Sequence, residues 1–198
     1  MEGIISADSK LEEKLLTESA RIDSFEGYEK PHAARIAALA YTVARKFHLS
    51  AHDCASLRQA ALMHDIGEVL MNRDYIKANR VLTEEERIDM QRHTVIGEQQ
   101  AAERGLNRAV QLLIRWHHEW WNGAGYPDAL EREHIPLAAR ILRVADTYSA
   151  LTAARPFHPA VSEAEAGKHL TEWAGIKFDP QVVKEFLSLE NVEKLKTF

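Results

Sequence analysis

The residues best suited to chemistry in this chain are His64-Asp65-Ile66-Gly67, which close the apolar run Ala60-Ala61-Leu62-Met63. The run delivers an imidazole and a carboxylate side by side into expected core. A buried Asp is costly unless it is paired or bound to metal. Four other segments supply suitable partners: His32, His93, the doublet His117-His118, and Asp146, which follows the apolar run Ile141-Leu142-Arg143-Val144-Ala145. Imidazoles and carboxylates are ligands for borderline divalent metals such as iron, manganese and zinc. A two-metal centre needs a carboxylate that spans ions about 3.5–4 Å apart, and Asp65 is the natural bridge. Each residue alone has a plainer account. A lone His is more often a surface or hydrogen-bonded core residue. Asp146 would serve equally as the partner of a structural Arg. His117-His118, beside Trp116, Trp120 and Trp121, would make an aromatic packing corner. Spacing alone leaves both accounts open. Cys54 reads as a small core residue.

Helices must position these groups. An amphipathic helix is expected over 8–22, then a loop over 23–30. Pro31 opens a helix over 31–48 with apolar positions Ile36, Leu39, Ala40 and Val43. The next runs from its cap at Ser50 to about Ile66, and Gly67 ends it. After a turn and a short helical piece over 68–82, Thr83-Glu84-Glu85-Glu86 has capping-box form. It opens a helix to about Gly105 with His93 at its middle. Asn107 caps a helix ending at His117-His118. A Trp-, Gly- and Pro-rich loop covers 119–135, and helices are expected over 136–153, 162–174 and 180–189. No segment reads as a strand. The expected fold is all-α, a compact single-domain helical bundle, with a short N-terminal helix and loop over 1–27, the main domain over 28–189 and a tail over 190–198.

The chain has 198 residues, 45% of them hydrophobic, enough for one full core, and a formal net charge of −5. That balance, with no basic run, argues against nucleic-acid binding. One cysteine cannot form an intrachain disulfide, which fits a reducing compartment. No stretch approaches the roughly 18 apolar residues a membrane span needs. A cytoplasmic protein without membrane contact is the expectation.

Taken in order, the motifs resemble the HD-GYP domain, a branch of the HD metal-dependent phosphohydrolases. The resemblance rests on His32-x-x-Arg35, His64-Asp65-Ile66-Gly67, His93-Thr94-x-x-Gly97 and His117-His118-Glu119-x-Trp121-Asn122-Gly123-x-Gly125-Tyr126-Pro127. It continues through Val144-Ala145-Asp146-x-Tyr148, Arg155-Pro156-Phe157 and Phe178-Asp179-Pro180. It implies an all-helical, HD-type bundle with a two- or three-metal centre, usually of iron or manganese. It implies hydrolysis of cyclic di-GMP to pGpG and GMP by a metal-bridged hydroxide, in bacterial signalling. His32, His64, Asp65 and Asp146 would hold one ion; Asp65, His93, His117 and His118 would hold the other. Members with a third metal use a Glu four residues before the first ligand. That position is Tyr28 here, and Glu29 is off by one, so two ions are expected.

Two departures bear on substrate. The family usually continues the doublet as His-Asp-Ile-Gly-Lys, with the Lys at the substrate phosphate; this chain has Glu68. A carboxylate there repels a phosphodiester by about 1 kcal/mol or more at short range. A frequent Lys-Pro-Gly is replaced by Lys77-Ala78-Asn79-Arg80, so Lys77 or Arg80 is a substitute cation. Asp65, Glu68 and Arg155 are the candidate catalytic residues, with Arg155 clamping phosphate through its planar fork. Arg155, His158 and Tyr126 are the candidate substrate contacts. The Gly123–Pro127 loop either packs over the metals or stacks guanine and docks a signalling partner. Glu68 keeps two alternatives in play: a weakly active, metal-retaining cyclic-dinucleotide binding module, and a phosphohydrolase for another nucleotide.

Overall fold

The computed structural model describes residues 7–78, 80–155 and 159–189; His158 and the tail from residue 190 lie outside them. The described residues form ten α-helices and no strand, in agreement with the all-α expectation. None of these helices is long and apolar enough to cross a membrane.

Helix α2 (His32–Lys46) lies at the centre, packed on α3 (Ala51–Met63) and α8 (Leu137–Thr152). Its expected apolar face is buried: Ile36, Leu39, Ala40 and Val43. Ala33, Ala37 and Ala44 share that burial, and their small side chains let neighbouring helices approach closely. Against them pack Leu57, Ala60 and Ala61 of α3 and Ile141, Leu142 and Ala145 of α8. Helix α10 (Pro180–Leu187) seals one side of α8, where Tyr148 meets Phe186 with ring centroids 4.9 Å apart. Helix α9 (Glu163–Glu172) also packs on α8 and carries a capping box, Ser162 with Glu165.

Three expected boundaries shift. Helix α1 (Ala7–Glu26) runs one turn past the expected end at residue 22. The reason is tertiary: the Asp23 carboxylate, still helical, accepts from the backbone N–H groups of His32 (2.8 Å) and Ala33 (3.0 Å). Pro31 precedes α2 and offers no side-chain cap, so α1 satisfies the orphan donors of α2. Next, α3 stops at Met63, and α4 (Ile66–Met71) resumes after a break at His64-Asp65. Gly67 therefore lies inside a helix; Asn72, in the left-handed conformation at φ 47°, ends it. Gly67 is there for close approach, since a Cβ at that position would lie 2.0 Å from the His93 carbonyl oxygen. Finally, the capping box at Thr83 forms as expected, but it opens only α5 (Glu84–Met90). A break at Gln91-Arg92 makes His93 the first residue of α6 (His93–Glu103), not a mid-helix residue. Helix α7 (Arg108–Trp116), capped by Asn107, follows the expectation.

Replacing Asp23 with Ala should cost about 1–2 kcal/mol, the range for a lost helix cap. For a domain of this length the melting temperature should fall by about 2–8 °C, measurable by circular dichroism; an unchanged melt would show that the cross-helix cap does not matter.

Candidate metal centre

The helix breaks put side chains at converging helix ends. His32 and His93 open α2 and α6, His64 and Asp65 occupy the α3–α4 break, and His117-His118 follow α7; only Asp146 comes from a helix interior. All seven fall into two groups. Donor atoms of Asp65, His93, His117 and His118 lie within 4.8 Å of one another, and so do those of His32, His64 and Asp146. Asp65 joins the groups. One carboxylate oxygen sits 3.0 Å from His64 Nε2; the other is 3.4 Å from His93 Nε2 and 3.5 Å from His117 Nε2. Asp146 reaches His64 Nε2 at 3.8 Å.

The imidazoles are pre-set. His64, His93 and His117 each place Nδ1 against the carbonyl three residues earlier: Ala61 at 3.0 Å, Met90 at 2.6 Å and Ile114 at 2.7 Å. A carbonyl only accepts, so Nδ1 is protonated and Nε2 is the nitrogen that faces inward. His32 is held by Ser149 Oγ at 3.1 Å and by Tyr28, whose ring stacks on it at 3.8 Å.

A family profile described as HD domain matches residues 17–182. The chain belongs to the HD-domain family. It is 40% identical over 141 residues to a cyclic di-GMP phosphodiesterase of Vibrio cholerae serotype O1, a match covering 68% of this chain and 29% of that protein. It is 35% identical over 180 residues to the cyclic di-GMP phosphodiesterase response regulator RpfG of Xanthomonas campestris pv. campestris, covering 89% of this chain and 47% of that protein. The chain thus spans less than half the length of either relative. Among solved structures, a cyclic GMP-AMP-specific phosphodiesterase of V. cholerae superposes with a TM-score of 0.69 at 21% identity, covering 92% of this chain and 48% of that one.

The donor set of this HD domain fits divalent metal. His64 Nε2 and Asp65 Oδ1 are buried and face only other members of the two groups, and His93 Nε2 faces His117 Nε2 at 3.5 Å. Such an arrangement is unfavourable until positive charge enters it. Burial pushes His93 down to about 4 and His32 and His118 well below the usual imidazole range, so all three are neutral, as ligation requires. His64 differs. Burial pulls it down, but the Asp65 charge overrides this and lifts it well above the usual range. For Asp65, burial raises the carboxyl, but His64, His117 and His93 together hold it well below the usual carboxylate range.

The surrounding loop braces these side chains. Glu119, 2% exposed, accepts from the backbone N–H groups of Asp128 (2.7 Å) and Leu130 (3.0 Å). Gly125 passes the chain back over Trp120, where a Cβ would come within 2.2 Å of the Trp120 nitrogen. Tyr126 then stacks on His118, with centroids 4.9 Å apart, and meets His93 edge-on, so one ring face covers the centre. Arg143 donates to His118 Nδ1 at 2.6 Å. A neutral imidazole has a single lone-pair nitrogen, so an ion held by His118 would have to displace this guanidinium.

Glu26 is the residue that sequence reasoning missed. At the last turn of α1, its carboxylate lies within 4.8 Å of donor atoms of Asp65 and Glu68. It is six residues before His32, off any helical spacing, and only the unexpected last turn of α1 aims it inward. Tyr28, where the resemblance looks for a Glu, is instead the stacking partner of His32, and Glu29 is exposed. Burial first, and then the Asp65 charge, push Glu26 and Glu68 well above the usual carboxyl range.

Because the folded state raises His64, that imidazole carries a proton at neutral pH that an entering ion must displace. Metal uptake at pH 7 should release protons, and affinity should fall as pH is lowered. Calorimetry in buffers of different ionisation enthalpy measures this; uptake without proton release would contradict the assigned state of His64.

Proposed function

We propose that this HD domain is a metal-dependent phosphodiesterase that hydrolyses cyclic di-GMP to pGpG and GMP. The observation that carries the reading is the pair of donor groups joined through Asp65, in a chain 40% and 35% identical to proteins named as cyclic di-GMP phosphodiesterases. His32, His64, Asp65 and Asp146 would hold one ion; Asp65, His93, His117 and His118 the other. Iron or manganese suits this donor set. Two such ions would lower the pKa of bound water and offset charge on the non-bridging phosphate oxygens.

The remaining residues bind and orient. A cavity of about 640 Å³ is lined by Phe25, Glu26, Tyr75, Lys77, Arg80 and Arg155, among others, and is large enough for a nucleotide. It adjoins the centre through Glu26. Of the cations considered as substitutes for the missing Lys, Arg80 is tied in a two-point ion pair to Glu86, both contacts 2.6 Å. Lys77 rides over the Phe25 ring at 4.0 Å. Arg155 sits over Tyr28 at 5.0 Å with its Nε buried and unpartnered, which supports its reading as the phosphate clamp. A signalling partner docking on the Gly123–Pro127 loop would meet the exposed Asn122 and Ala124 before Tyr126.

The test is incubation of the metal-loaded protein with cyclic di-GMP, and in parallel with 3′3′-cGAMP, with products separated by chromatography. Release of pGpG or GMP is expected. Tight binding without product would reassign the domain as a binding module, and preference for the mixed dinucleotide would change the substrate. Arg155→Ala removes a charged phosphate contact worth about 1.5–3 kcal/mol. It should lower kcat/KM by about 10–100-fold with metal content unchanged.

A further inference from the structure

We propose that Tyr28 is a positioning residue that links the phosphate clamp to the metal centre: one face of its ring holds the imidazole of His32, and the other holds Arg155. This rests on the reading of Arg155 as the phosphate clamp of a phosphodiesterase.

The placement begins at a helix end. The Gly27 N–H donates to the Ser24 carbonyl at 3.3 Å and the Tyr28 N–H to the Asp23 carbonyl at 2.9 Å, the paired contacts of a Schellman motif. Gly27 lies in the left-handed region at φ 87°, where glycine carries no Cβ penalty. This turn swings Tyr28 inward and leaves it buried. The Asp23 carboxylate accepts in turn from the backbone of His32, so one residue fixes both the Tyr28 ring and the imidazole it meets. The two rings lie 3.8 Å apart and 8° from parallel, a face-on contact. Ser149 Oγ holds His32 Nδ1 at the imidazole edge, at 3.1 Å.

Arg155 takes the opposite face. Its guanidinium carbon lies over the Tyr28 ring, 5.0 Å from the centroid, and an imidazole stacked at 3.8 Å leaves no room on the first face. Among the described residues the guanidinium makes no hydrogen bond or ion pair. Its charge acts on Glu68 and His32 across space, which sets no orientation. The ring therefore decides where the planar fork points. Arg155 also lines the cavity of about 640 Å³ proposed for substrate. A guanidinium laid on an aromatic face keeps the N–H donors along its edge free, so the clamp is pre-set and still open to a phosphate.

The experiment is a double-mutant cycle on the full chain. KM and kcat for cyclic di-GMP are measured at saturating Mn²⁺, and Mn²⁺ affinity is measured separately by equilibrium dialysis. Tyr28→Leu keeps an apolar side chain without a planar face. It should raise KM by about 5–30-fold, the range for a desolvated cation–π contact, with kcat within about threefold. It should also loosen one of the two ions by about 2–10-fold. Tyr28→Phe keeps both faces and should return KM and Mn²⁺ affinity to within about twofold of wild type. In the Arg155→Ala background, Tyr28→Leu should change KM by less than about twofold. Losses that multiply fully in the double variant would overturn the assignment, as would a Phe variant as impaired as the Leu variant. Unchanged Mn²⁺ affinity in Tyr28→Leu would remove the link to the centre and overturn it equally. If wild type binds cyclic di-GMP without product, the phosphodiesterase reading falls and the same cycle is scored on dissociation constants. Coupling between Tyr28 and Arg155 would then keep this role for Tyr28, and independence would end it. Wild type that neither binds nor hydrolyses cyclic di-GMP would sink both. If Tyr28→Leu fails to fold, crystals of wild type with pGpG decide. Arg155 must then hold a phosphate oxygen while still lying over Tyr28; a guanidinium that has left the ring would overturn the proposal.

Discussion

The structure depends on one buried carboxylate. Asp65 sits where α3 breaks into α4, and its two oxygens face opposite sets of imidazoles at 3.0–3.5 Å. A straight helix could not place it there beside His64, because adjacent helical residues point in different directions. The break at 64–65 solves this by re-aiming the backbone. Once Asp65 is fixed, the other elements follow. Helix α6 must begin at His93, Gly67 must lack a side chain so that the His93 carbonyl can come close, and α7 must end at His117. The interior charge is balanced only as a set.

The parts of the site legible in sequence were those carried by local pattern. The His and Asp positions of the two donor groups stand in fixed order and are recognisable as a family signature. The face of α2, the caps at Ser50, Thr83 and Asn107, and the absence of strands follow from periodicity and hydrogen-bonding chemistry that act within a few residues. What was not legible depends on distant partners. The extra turn of α1 is stabilised by donors nine and ten residues on. Gly67 reads locally as a terminator, yet it serves contact with a residue twenty-six positions away. The break before His93 has no Gly or Pro to announce it; the Nδ1 contact to Met90 and the packing on Gly67 set it.

Glu68 changes meaning in the same way. Seen along the chain it is a reversed charge near a phosphate. Seen in the fold it is half of a buried pair with Glu26, a residue that local pattern assigns to a loop. Neither glutamate is informative without the other, and they meet only because α1 and α4 pack together. Whether a charge is misplaced is therefore a property of the fold surrounding it.

The end of α1 has a mechanical consequence. Within a single turn it carries the cap of α2 at Asp23, a wall of the large cavity at Phe25 and a carboxylate of the centre at Glu26. A helix of twenty residues is a stiff rod about 30 Å long. Tilting its far end rotates all three groups together, because no joint separates them. Helix α1 is thus a lever whose short arm ends in the site, and force applied to its distant half would register as a change in the shape and charge of the centre.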